Sequence, residues 1–283
     1  LGEESLSVAD SYFALALLYD ESGRLTEAEP LFEKCIKIRE PQLGASHPEV
    51  IASLGALANL YKNSNRFTDA KFAYEKLWYV IDKIPESRLP FLIPHMIGMC
   101  DMYELQGLYG EAEQLLRRIL RIQMDTMALS DLEISYTYEK MARACQNQNK
   151  FDEAEKLLAT CLEIREAELG SNHRVVLDTL DKLARVYFET DNYDEAEQIC
   201  LKSIEMDKSD FLTREEVIKS LKHLDTIYRS QEKFEEAESV LIKLFILQKK
   251  SEGKMSQETV SSLSNLAQVY RKSGKHEKAC QFV

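Results

Sequence analysis

The stretch LGASHPEV, residues 43–50, returns as LGSNHRVV at 169–176 and in degraded form as LGEESLSV at 1–8. Residues 43 and 169 are 126 positions apart, and Leu1 lies 42 positions before Leu43, one third of that interval. This arithmetic predicts a repeat running the length of the chain. Anchoring on the alanine of the Glu-Ala-Glu-like strings gives Ala28, Ala70, Ala112, Ala154, Ala196, Ala237 and Ala279, with steps of 42, 42, 42, 42, 41 and 42. Nine residues before each lies Tyr19, Tyr61, Tyr103, Cys145, Tyr187, Tyr228 and Tyr270.

Within a unit, apolar residues recur at helical spacing, as in Tyr12, Leu15, Ala16 and Tyr19, or Leu180, Leu183, Ala184 and Tyr187. A polar turn follows (DESGR, KNSNR, QNQNK, ETDNY), then a second stripe such as Ala154, Leu157, Leu158, Cys161 and Leu162. The expected architecture is all-α: seven helix-turn-helix units at approximately 6–42, 48–84, 90–126, 132–168, 174–208, 215–250 and 257–283. The last unit is truncated, and the chain reads as a fragment of a longer one, 1–283 forming a single solenoid. Acids opening the second helix of each unit, such as Glu27, Glu29, Asp152, Glu153 and Glu155, suit the positive end of a helix dipole. The Leu-Gly pair should end that helix with glycine in a left-handed conformation, and Ser46 or Asn172 should cap the next, Pro48 lying in its first turn. Pro85, Pro90 and Pro94 cluster at the entry to the third unit, where the first helix should start late or bend.

Lys and Arg number 36 against 48 Asp and Glu, a net charge of −12, which argues against nucleic acid and anionic membranes as partners. No apolar run is long enough to span a bilayer. Six cysteines without a C-x-x-C spacing and five scattered histidines predict buried thiols, no metal, no cofactor and a reducing, cytoplasmic setting. No phosphate loop, HExxH or nucleophile elbow occurs, so no enzyme is expected.

The strings Leu15-Ala16-x-x-Tyr19 with Ala28 to Phe32, and Leu57-Ala58-x-x-Tyr61 with Ala70 to Tyr74, resemble the tetratricopeptide (TPR) signature. The 42-residue unit and the wording of 26–50 and 152–176 resemble the kinesin-light-chain type of that repeat. The resemblance implies a right-handed superhelix whose concave wall is lined by the first helix of each unit, where peptides bind. Such grooves serve adaptors, co-chaperones and scaffolds in the wider family. It also implies asparagine before the Leu-Ala pair, holding a ligand backbone. Here only Asn265 matches, which points to a distinct partner.

If the tyrosine stripe is buried, the opposite stripe faces the groove. In units one to three it is small and partly apolar, with an expected pocket at Phe13, Leu17, Gly55, Asn59 and Ile97. In units four to seven it carries eight bases against three acids. The expected ligand is a partner protein or peptide with an acidic segment, bound by Lys140, Arg143, Lys182, Arg185, Lys219, Lys222, His223, Arg229, Asn265 and Arg271. Two other readings compete with this peptide-binding adaptor. One is an architectural spacer or scaffold working through convex or end surfaces, with self-association through an uncapped C-terminal end. The other is the sensor array of a larger signalling protein. Asp225 stands in a slot held elsewhere by alanine, so either it reaches a partner such as a nearby lysine or the sixth unit is locally loosened, the first being the favoured expectation. Trp78 is expected to pack under the proline-rich connector.

Overall fold

In the computed structural model, residues 5–84, 89–126, 130–206, 214–252 and 256–279 are described. Among them are fourteen α-helices and no strand. The first helices of the seven hairpins are α1 (Leu6–Glu21), α3 (Pro48–Asn63), α5 (Ile93–Leu105), α7 (Asp131–Asn147), α9 (Arg174–Glu189), α11 (Arg214–Ser230) and α13 (Gln257–Lys272). The second helices are α2 (Leu25–Leu43), α4 (Phe67–Ile81), α6 (Tyr109–Thr126), α8 (Phe151–Leu169), α10 (Tyr193–Met206), α12 (Phe234–Glu252) and α14 (His276–Ala279). The hairpins form two compact units, divided between Leu129 and Ser130.

Every hairpin turns by the same device. Gly23, Asn65, Gly107, Asn149, Asp191, Glu232 and Gly274 each have φ between 56° and 76°. The next amide reaches back to the carbonyl of the repeated Tyr or Cys, as in Arg24 N–H to Tyr19 O at 2.8 Å and Lys233 N–H to Tyr228 O at 2.8 Å. The left-handed residue's own amide bonds three residues back, as Gly23 does to Asp20 O at 2.9 Å. This is the Schellman pattern, which satisfies carbonyls that a helix end would leave bare.

Between hairpins the expected glycines do have positive φ, 87° at Gly44 and 79° at Gly170, but with ψ of 151° and 153°. That region is essentially closed to residues with a Cβ, so it demands glycine more strictly than the left-handed helical region, where Asn serves. The caps differ from expectation by one residue. His47 and His173, not Ser46 and Asn172, accept through Nδ1 from the amides of Glu49 (3.3 Å) and Val175 (3.2 Å). The third unit enters through a 3-10 turn at Pro90–Leu92, and α5 begins only at Ile93 with 13 residues, the shortest of the first helices. Pro85 lies outside the described residues; Trp78 is half-buried with the Arg118 guanidinium 5.0 Å above its ring.

Neighbouring hairpins are joined in two ways. Apolar clusters mix a second helix with the following first helix: Ala154 and Leu158 with Leu183 and Val186, and Ala237 and Leu241 with Leu266 and Val269. Over these sits a polar latch. Tyr61 donates to Glu29 at 3.0 Å, Tyr187 to Glu155 at 3.2 Å, Tyr228 to Glu197 at 2.9 Å and Tyr270 to Glu238 at 3.0 Å. In three of these the glutamate also holds a base from the turn: Arg66 at 2.6 Å, Lys233 at 3.1 Å and Lys275 at 2.7 Å. Burial and the glutamate together push the Tyr61 and Tyr228 hydroxyls up to about 12. The second acid of the Glu-Ala-Glu string is therefore a joint between repeats, a role its place near a helix start conceals.

Candidate functional site

In the unit beginning at Ser130, consecutive first helices are linked by polar rungs. Lys182 of α9 reaches Glu139 of α7 at 2.7 Å, while Asp178 binds the same ammonium from one turn back. His223 Nδ1 of α11 comes within 2.9 Å of Asp181 Oδ1 of α9 without hydrogen-bond geometry, so this approach is not a rung. Lys222 of α11 meets Glu258 of α13 at 2.5 Å. Asp225, almost wholly buried, takes both arms of Arg229 at 3.0 Å, and the Asn265 amide points to it at 3.5 Å. The expected partner of Asp225 is thus an arginine one turn along its own helix rather than a lysine. Burial pushes the Asp225 carboxyl up, against the pull of Arg229 and Asn265.

Beneath the rungs lies a residue that sequence reasoning missed. Arg165 of α8 is 4% exposed, donates to Ser135 (3.0 Å) and Thr179 (2.6 Å), and pairs with Glu139 at 2.6 Å. Burial alone would raise the Glu139 carboxyl, but Lys182 and Arg165 outweigh it and hold it below the usual range. Arg39 repeats the arrangement in the first unit, 5% exposed, with Ser53 at 2.8 Å and Asp10 at 2.6 Å. The recurring Ile-Arg-Glu at 38–40 and 164–166 was the available signal.

These contacts change the charge count of the wall. Lys182, Lys222 and Arg229 are spent on internal acids, and Lys140 is buried with its ammonium 5.1 Å from the Tyr136 ring. Arg143 is exposed. Arg185, Lys219 and Arg271 are exposed and have no partner among the described residues. Two hollows adjoin along this wall. One, of about 170 Å³, lies between α9 and α11 and is lined by Ala184, Arg185, Phe188 and the acid Glu189 on one side and His223, Thr226 and Ile227 on the other. The other, of about 540 Å³, lies between α11 and α13, with Thr226, Arg229, Ser261 and Asn265 on its walls and Asp225 also lining it. Thr226 lines both.

The residues expected to form an apolar pocket belong to the other unit. Phe13 packs edge-on against Phe32 with centroids 5.8 Å apart, under the Arg39 guanidinium. Leu17 is 36% exposed, and Ile97 is half-buried. The clearing at Gly55 is filled by His95, whose Nδ1 lies 2.1 Å from where a Cβ would be. Burial holds that imidazole below its usual range. The Asn59 side-chain oxygen is taken by the Tyr74 hydroxyl at 2.5 Å.

Cys35, Cys100, Cys145, Cys161 and Cys200 are buried thiols outside any disulfide, and burial pushes Cys161 up to about 11 and Cys200 to about 12. Such thiols are poor nucleophiles. Cys280 lies outside the described residues.

The tetratricopeptide repeat family profile matches residues 7–77 and 133–209, and a second tetratricopeptide profile matches 262–282. The chain belongs to the tetratricopeptide repeat family. Among solved structures, a Podosopora anserina protein described as a kinesin light chain with nearly identical TPR-like repeats is 24% identical, with a TM-score of 0.64 over 74% of this chain and 98% of that one. BtubC from P. vanneervenii is 14% identical, with a TM-score of 0.63 over 88% and 94%. A signal-transduction ATPase from Pyrococcus horikoshii with a tetratricopeptide repeat sensor is 14% identical, with a TM-score of 0.70 over 96% of this chain and 41% of that one. At these identities the likeness is one of fold. Comparison with curated proteins gave no significant match. The tetratricopeptide fold is that of a protein-interaction scaffold, and among the described residues no helix is long and apolar enough to cross a membrane.

Proposed function

We propose that the first-helix wall of repeats four to seven receives an extended acidic segment of a partner protein. The observation that carries this is the set of uncommitted bases, Arg185, Lys219 and Arg271, along a wall where Lys182, Lys222 and Arg229 are already paired with acids and which is indented by two adjoining hollows. Arg185 stands at the smaller hollow beside Phe188 and Ile227, where a ligand carboxylate would meet its guanidinium with an apolar group seated alongside. The rungs contribute rigidity, because each base they hold is fixed in place before any ligand arrives. The activity is non-catalytic recruitment.

The test is fluorescence anisotropy with a labelled peptide of alternating glutamate and leucine, titrated at low and high salt. Arg185→Glu with Lys219→Glu leaves the rungs intact and should weaken binding by about tenfold or more, and added salt should weaken the parent complex. Affinity unaffected by either change would overturn the reading.

A further inference from the structure

The second helices α2 and α4 enclose a hollow of about 690 Å³, floored by Leu54, Leu57 and Tyr61 of α3 and walled by Ile36 and Ala73. On its lip stands Phe72, 74% exposed, more than any other large apolar side chain among the described residues. The repeat itself does not ask for an aromatic there. At the same place α2, α6, α8, α10 and α12 carry Pro30, Gln114, Lys156, Gln198 and Ser239. A phenyl ring held in water beside an apolar hollow costs solubility and gains nothing within one chain, which marks the face as a contact surface.

The charges around the hollow narrow the choice of occupant. Lys76 pairs with Glu40 at 3.1 Å between the two helices, and Asp69 is held by Arg66 at 2.7 Å. Glu33 and Lys37, one turn apart on the α2 lip, are exposed, and neither has an ion pair or hydrogen bond among the described residues. The Glu40–Lys76 pair sets α2 against α4 at an offset of 36 residues, so Phe72 stands close to level with the midpoint between Glu33 and Lys37.

We propose that this face pairs with the same face of a second copy of the chain across a two-fold axis. With the two α2 helices antiparallel and the axis crossing midway between Glu33 and Lys37, Glu33 meets the partner's Lys37 and Lys37 meets the partner's Glu33. The same rotation brings the two Phe72 rings together near the axis, over the joined hollows and out of water. An unpaired acid and an unpaired base one turn apart complement themselves under that operation, whereas a partner surface of one charge sign would leave one of them facing its like. The rings supply most of the affinity, because exposed ion pairs are individually weak, and the charges select the arrangement. This association is independent of peptide binding in repeats four to seven.

Sedimentation velocity of the whole chain at concentrations up to about 100 μM should show a reversible equilibrium of monomer and dimer. Phe72→Glu, at an exposed site and checked for folding by circular dichroism, should weaken dimerisation by about tenfold or more. Glu33→Lys alone and Lys37→Glu alone should each do the same, since either puts like charges together twice in one dimer. Mixing the two single-reversal chains should restore a dimer, because every base in the mixed pair again faces an acid. A chain that stays monomeric overturns the proposal. So does a dimer indifferent to Phe72→Glu, which would place the contact elsewhere, or a pair of single reversals that mixing does not rescue.

Discussion

Asp225 shows how one residue can trade stability for a built feature. Six repeats place Ala or Cys in its slot; here a carboxylate lies buried against Arg229. Because burial raises its pKa in the folded state, the folded chain holds the proton more tightly than the unfolded chain does. Asp225 therefore favours folding at acid pH, and this benefit is lost as pH rises from the ordinary carboxylate range through the raised value. Asp225→Ala should raise the melting temperature at neutral pH, by about 2–4 °C if the gain is about 1 kcal/mol. The advantage over the parent should shrink as pH falls through that window. A lower melting temperature for the variant at neutral pH would mean that the pair with Arg229 outweighs desolvation. The sequence revealed the odd residue in an alanine slot but not its partner, since lysines and arginines at several spacings were within reach.

At the scale of the element, the hairpin turn is the most regular part of the molecule. The left-handed residue is Gly or Asn in five repeats, Asp191 in one and Glu232 in another. A non-glycine, non-Asx residue held there costs about 1 kcal/mol. Glu232→Gly should stabilise the chain by roughly 0.5–1 kcal/mol, read as a higher urea midpoint with an unchanged slope. No change in midpoint would mean that the relief in the folded state is cancelled by the unfolded chain's added freedom. Helices, turns and the glycine stops were legible because each is fixed by local chemistry at a constant spacing. The caps slipped by one residue because histidine is not a usual capping residue, although its Nδ1 lies at the right reach.

For the molecule as a whole, the period predicted the all-α tetratricopeptide architecture, whereas the charge stripe was read too literally. Counting side chains on one face treated each base as free, but acids on neighbouring helices, Glu258 among them, interleave with the bases. Distances between repeats decide which cations remain available, and no single-helix pattern encodes them. The same nearest-neighbour logic governs stability. Leu241, fully buried in the cluster of the later repeats, should cost about 2–5 kcal/mol on truncation to Ala. Native-state hydrogen exchange should show the loss in repeats five to seven and leave the amides of repeats one and two at parental protection. A uniform loss along the chain would indicate a single cooperative block.

The joint between α10 and α11 spans one residue fewer than its equivalents, 31 positions from Glu197 to Tyr228 against 32 from Glu29 to Tyr61, and still closes at 2.9 Å. Length can therefore be lost in the connecting segment without disturbing how adjacent hairpins mate. Within a helix the same deletion would rotate every later side chain by about 100° and carry the tyrosine off its seam. A lineage that lengthens by copying hairpins is thus free to drift at its connectors while the helices stay locked in phase, and grafted loops or labels belong at those connectors.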